Sequence, residues 1–167
     1  SVSSAAGSSS PARHNRAILP RGRWHLKLAD ALERLSKVQT TDAAGEVLRA
    51  SAAEYGYDNL NLARSFRGAT TDVPWNWMPS EFAEVYFTQG WEKHDPELYY
   101  AQRTQFPFSW TSLPQKMRMT NRQRGVIEAA SSFSLQEGLC VPLPGAGGKL
   151  DTISLVSSHK GQDFDPT

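Results

Sequence analysis

The period of the hydrophobic positions changes along the chain, and the changes mark out its elements. From Trp24 onward, Leu28, Leu32 and Leu35 fall at i, i+4 and i+7 with charges between them, the spacing of one amphipathic helix. Asp42 is placed to cap a second helix carrying Val47, Leu48 and Tyr55, with Gly56 as its stop. Residues 60–66 read as a strand with Leu60 and Leu62 on one face. Residues 73–77 read as another, with Trp75 and Trp77 on a shared face by the period of two. A helix follows between Pro79 in its first turn and Gly90 at its exit, with Met78, Phe82 and Tyr86 forming a stripe at spacings of four. Asp95-Pro96 then opens a short helix through Tyr99.

Residues 106–110, Phe-Pro-Phe-Ser-Trp, read as an extended aromatic turn. Thr120 and Gln123 form a capping-box pattern ahead of a helix with Val126, Ile127 and Ala130, and Gly138 closes that segment. The end reads as a hairpin. An apolar run at 139–143 and a β-branched run at 150–156 flank a Gly-rich turn, and Leu150, Thr152, Ser154 and Val156 share one face. Helices, strands, helices and strands in that order argue an α+β domain with a mainly antiparallel sheet. Residues 1–22 lack periodicity and read as a flexible tail, leaving 23–167 as one folded domain.

Composition narrows the class. The 167 residues suit one domain, and 39% hydrophobic with 21% charged is globular. Five Trp, five Tyr and seven Phe supply either core or the walls of a pocket for a partly apolar ligand. A net charge of +1 does not call for nucleic acid or an acidic membrane. The basic residues Arg13, Arg16, Arg21, Arg23 and Lys27 read as a solvated arm. A single cysteine, Cys140, excludes an intrachain disulfide, and with no apolar run long enough for a membrane span the default location is the cytoplasm.

Catalytic chemistry finds little support. His14, His25, His94 and His159 are scattered, and none pairs with Cys or Glu at metal-ligand spacing, so no metal and no cofactor is expected. No Gly-x-Ser-x-Gly elbow is present. Gly145-Ala146-Gly147-Gly148 joins two strands, which makes it a hairpin turn and not a phosphate loop. Cys140 lies in an apolar strand with no evident base and reads as an inert buried thiol. The chain is therefore expected not to be an enzyme.

One ordered set of residues has a counterpart elsewhere: Met78-Pro79-Ser80-Glu81-Phe82, Tyr86, Trp91, Asp95-Pro96 and Phe106-Pro107-Phe108-Ser109-Trp110, followed by 138–143, Gly145 and the strand at 150–155. This set resembles the autoinducer-binding domain of LuxR-type quorum-sensing regulators, over roughly residues 25–157. The resemblance implies an α-β-α sandwich with a twisted antiparallel sheet of about five strands, and an acyl-homoserine lactone or a relative held between sheet and helices. It implies that Asp95 accepts the ligand's amide N–H, that Tyr86 lines the pocket, and that Trp110 packs on the lactone ring. Ser154 and Cys140 would lie near the acyl carbonyl and chain, with Met78, Phe82 and Leu98 completing the ligand set. Burying a methylene contributes about 0.8 kcal/mol, so an acyl chain sets affinity while the few polar contacts set specificity.

Two positions depart from the family pattern, which has Tyr at Met78 and Trp at Phe82. That Trp donates its indole N–H to the lactone carbonyl. Phe offers no donor, and a buried group left bare costs about 1–3 kcal/mol. The departure favours a divergent ligand, or a regulator that dimerises and acts through protein–protein contact without a lactone. An acyl-transfer or hydrolytic enzyme would rest on Cys140 and Ser154 alone. The resemblance further implies a homodimer, and DNA contact only through a C-terminal helix-turn-helix domain not present in this chain, whether the chain is a fragment or a natural short form.

Overall fold

The computed structural model describes residues 21–161, with side chains from residue 27 onward. The expected tail therefore lies outside the described residues, save that Arg21 already opens a helix. The elements run α1 (Arg21–Lys37), α2 (Thr41–Ala53), β1 (Asn59–Phe66), β2 (Ala69–Asn76), α3 (Ser80–Thr88), α4 (Pro96–Ala101), β3 (Phe108–Ser109), α5 (Leu113–Lys116), α6 (Asn121–Ser132), β4 (Glu137–Pro144) and β5 (Lys149–Ser157). Five strands form one sheet in the order β2-β1-β5-β4-β3, and every neighbouring pair is antiparallel. This is the α+β architecture expected from the order of patterns.

The register divides the sheet into two unlike faces, because residues opposite each other across strands point the same way. Leu62 faces Trp75 on one side and Ile153 on the other, and Leu60 faces Leu155, which faces Leu139. These residues pack with Ala52 and Tyr57 into an apolar core under α2. The opposite face carries Asn61, Ala63, Thr152 and Ser154, and two further apolar clusters lie on that side, around Phe108 and Leu113 and around Phe82 and Val156. Thus α1 and α2 cover one face and the later helices the other.

Local chemistry accounts for most boundaries and revises several. Thr40, not Asp42, caps α2. Its backbone is extended and its hydroxyl accepts from the Ala43 N–H at 3.1 Å, while Asp42 sits in the first turn where its charge faces the helix N-terminus. Helix α4 continues two residues past Tyr99, to Ala101. The aromatic turn contains a true strand, since Phe108 and Ser109 pair with Cys140 and Leu139. The capping box ahead of α6 forms in full: Gln123 N–H donates to Thr120 Oγ1 at 3.2 Å, and Thr120 N–H donates to Gln123 Oε1 at 2.9 Å. Gly138 does not close α6, which ends at Ser132, but lies buried in β4.

The leucine stripe of α1 predicted the helix correctly but not its burial. Ala31 is buried, whereas Leu28 and Leu32 are 56% and 57% exposed. Lys27 ties α1 to the end of α2 through Glu54 at 2.8 Å.

Two glycines within helices are opposed in environment. A Cβ at Gly45 of α2 would lie 2.7 Å from the buried Trp75 ring, whereas one at Gly125 of α6 would meet nothing within 4 Å. Gly45→Val is expected to lower stability by about 2 kcal/mol or more through overpacking. Gly125→Ala is expected to raise it by about 0.5–1 kcal/mol through helix propensity alone. Urea denaturation of both variants checks the pair.

Candidate functional site

Between the polar face of the sheet and helices α3, α4 and α6 lies a cavity. Its walls are largely apolar: Met78 from the turn before α3, Phe82 from α3, Leu98 from α4, and Val126, Ile127 and Ala130 from α6. The stripe of spacing four on α3 is thus turned into the cavity. Phe82 is fixed by ring contacts with Tyr86 and Phe133, both at 5.6 Å between centroids.

The polar end is built where α4 begins. Asp95 takes an extended backbone as N-cap, with Pro96 at the first helical position. Its Oδ1 accepts the Glu97 N–H at 2.7 Å, and its Oδ2 accepts the Tyr86 hydroxyl at 2.6 Å. One carboxylate therefore caps α4 and anchors α3, with an edge on the cavity.

Two residues on, Glu97 is buried and also lines the cavity. It accepts the indole N–H of Trp110 on one oxygen and the Ser154 hydroxyl on the other. The Cys140 thiol lies near enough to the same carboxyl for each to shift the titration of the other. Trp110 is held by close approach to Gly138, where a Cβ would lie 2.2 Å from the indole ring. Only glycine admits the ring there, which explains the buried glycine in β4.

Burial governs the titration of these groups. Glu97 is pushed up to about 7, first by loss of solvent and then by the negative charge of Asp95. Burial raises Asp95 as well, against the hydrogen bonds from Tyr86 and the α4 backbone. Burial and the neighbouring carboxyls raise the Tyr86 hydroxyl and the Cys140 thiol far enough to keep both protonated at neutral pH. A thiol so held is a poor nucleophile. Among the described residues, no group of three or more His, Cys, Asp or Glu side chains is placed to hold a metal ion.

Residues 40–167 match the family model of the autoinducer binding domain. The chain belongs to that family. Relatives of this autoinducer-binding domain include the transcriptional activator protein TraR of Agrobacterium vitis, 20% identical over 80% of this chain and 58% of its own length. The quorum sensing-dependent transcriptional regulator RpaR of Rhodopseudomonas palustris is 27% identical over 86% of this chain and 57% of its own length. The chain thus spans under three fifths of these relatives, which are transcriptional regulators. Among solved structures, the N-acylhomoserine lactone dependent LuxR family transcription factor CepR2 of Burkholderia cenocepacia superposes with a TM-score of 0.68 at 19% identity, covering 83% of this chain and 81% of that one. SdiA in complex with octanoyl-rac-glycerol superposes with a TM-score of 0.66 at 17% identity, over 90% of this chain and 59% of that one.

Of the residues singled out in the sequence, Met78, Phe82, Tyr86, Asp95, Leu98, Trp110 and Ser154 all line the autoinducer-binding domain's cavity. Cys140 does not. It is fully buried behind the wall, among Ala101, Phe108 and Leu113, and reaches the site only through Glu97. Glu97 was missed, because an acid in the first turn of a helix is ordinary. The available signal was its spacing of four from Ala101, which places both on the buried side of α4. Asn61, on the cavity floor opposite Ser154, was missed because a polar residue in a strand usually faces water.

The Glu97 titration has a consequence for stability. An unfolded Glu titrates near 4.5 and the folded one near 7, so between these values the folded state holds a proton that the unfolded chain has released. Stability therefore falls as pH rises from about 4.5 to 7 and then levels, and the raised Asp95 acts in the same sense. Between pH 5 and pH 8 the wild type is expected to lose roughly 2–3 kcal/mol, and Glu97→Gln less than half as much. Chemical denaturation across that range reads the difference.

Proposed function

We propose that this domain is the ligand-sensing part of a quorum-sensing transcription regulator, and that its cavity takes an acyl-homoserine lactone or a related acyl amphiphile. The observation that carries the reading is Asp95, a half-buried carboxylate held by Tyr86 and by the α4 backbone at the polar end of an apolar-walled cavity. A carboxylate so fixed suits an amide N–H, and the apolar walls suit an acyl chain. Phe82 lacks the donor of the family's usual Trp, which turns the reading toward a relative of the common lactones. The lactone named for CepR2 and the acylglycerol named for SdiA are both acyl chains on a small polar head, and fit the same division of labour.

In this reading the domain works in the cytoplasm as a homodimer, and DNA is contacted by a separate C-terminal domain. The exposed Leu28 and Leu32 on α1 support a partner surface of the apolar kind. No described helix is long and apolar enough to cross a membrane. A second reading, regulation by dimerisation without a signal molecule, draws on Glu97, which already satisfies Trp110 and Ser154 internally.

Thermal unfolding with acyl-homoserine lactones and monoacylglycerols of graded chain length tests the first reading. A ligand at one hundred times its Kd adds about 2.7 kcal/mol, which is on the order of 5–10 °C for a domain of this size. Asp95→Asn keeps an N-cap side chain but removes the charge, so it is expected to fold and to bind at least tenfold more weakly. A dimer by sedimentation with no shift from any ligand favours the second reading.

A further inference from the structure

At the carboxyl end of the cavity the neighbouring donors are already engaged. The hydroxyl of Tyr86, the indole N–H of Trp110 and the hydroxyl of Ser154 each donate to a carboxyl of the site itself. Beside those donors a guest meets the carboxyls of Asp95 and Glu97, while Asn61, Asn76 and Thr70, which also line the cavity, carry a donor as well as an acceptor, and the Asn61 side chain has its oxygen buried without a partner. A carbonyl on a guest is an acceptor only. To bind at Ser154 or Trp110 it must take a donor from Glu97, which in its ionised form is then left short. A hydroxyl both gives and accepts. It can insert between Glu97 and Ser154, donating to the first and accepting from the second, and leave every group satisfied.

We propose that Glu97 is a specificity-determining residue that makes this cavity select signals bearing a hydroxyl group beside the polar head, over otherwise identical signals bearing a carbonyl or nothing there. The selection rests on the receptor reading above but adds to it a chemical class. The position on the ligand follows from geometry. Glu97 bridges Trp110 on the loop after β3 and Ser154 on β5, near Cys140 on β4. It therefore looks into the cavity between the residues assigned to the head group and those assigned to the chain, at the first carbons of the acyl group.

Isothermal titration of the domain with 3-hydroxyacyl-, 3-oxoacyl- and unsubstituted acyl-homoserine lactones of one chain length, and with a monoacylglycerol of that length, tests the proposal. The wild type is expected to bind the hydroxyl-bearing forms at least tenfold more tightly than the oxo and unsubstituted forms. In Glu97→Leu that preference is expected to vanish, with the unsubstituted lactone gaining affinity. Glu97→Gln, which keeps the side-chain volume, is expected to fall between. A wild type that ranks the three lactones equally, or prefers the oxo form, overturns the proposal without any variant. So does a hydroxyl preference that persists unchanged in both variants. In either case binding itself upholds the receptor reading, whereas no heat from any ligand with the wild type or the variants removes both.

Discussion

A carboxyl pair at the start of α4, Glu97 buried and Asp95 half-buried, ties this structure together. Asp95 holds α3 through Tyr86, and Glu97 holds the sheet through Ser154 and the loop after β3 through Trp110. Removing two carboxyls from water is costly, and the cost is offset only when their lone pairs are met by good donors. Here the donors come from three other segments, so the pair is satisfied only when α3, α4, the β3 loop and β5 are all in place. Rigidity at the polar end of the cavity is thus a consequence of desolvation, since any segment that drifts leaves a charge unmet.

The two faces of the sheet show how the same strands serve stability and binding separately. On the α2 side, Leu60, Leu62, Trp75 and Leu139 interlock with little polar content, and Gly45 lets the helix come down onto the Trp75 ring. On the other side the cross-strand row runs Asn76, Asn61, Ser154, Cys140, Phe108, mostly small or polar. A row of that kind packs less apolar volume than the first, and the space it leaves is the cavity. Period-two alternation therefore carries the division of function, because each residue's face is set by its parity along the strand.

That division was partly legible in the sequence. The strands, the α3 stripe, the Asp95-Pro96 cap and the Thr120–Gln123 capping box follow from local rules, and local rules sufficed where a neighbour three or four residues away decides the outcome. Leu28 and Leu32 on α1 kept the helical period but not the burial, because burial depends on what lies opposite, which periodicity does not encode. Glu97 shows the same limit more sharply. Its residue type and helix position are unremarkable, and only long-range partners (Ser154 lies 57 positions away) make it buried and protonatable near neutrality. Gly138 looked like punctuation and proved to be the pad beneath Trp110, a contact between segments that no short window contains.

Foldable sequences agree across levels, and their local disagreements gather where function is. Most of this domain obeys that agreement: apolar residues are buried, helices are capped, and strands alternate. Some departures lie elsewhere, such as the unpartnered Trp75 indole N–H, and several gather in one cavity. Glu97 is buried beside the half-buried carboxyl of Asp95, and the Asn61 side-chain oxygen is buried without a partner. Each alone would be a modest defect in stability. The carboxyl pair and the Asn61 oxygen add acceptors to the cavity, and Glu97 in its protonated form adds a donor. Polar groups of both kinds at one end of an apolar-walled cavity suit a guest whose head gives and accepts hydrogen bonds, with the acyl chain left to the apolar walls.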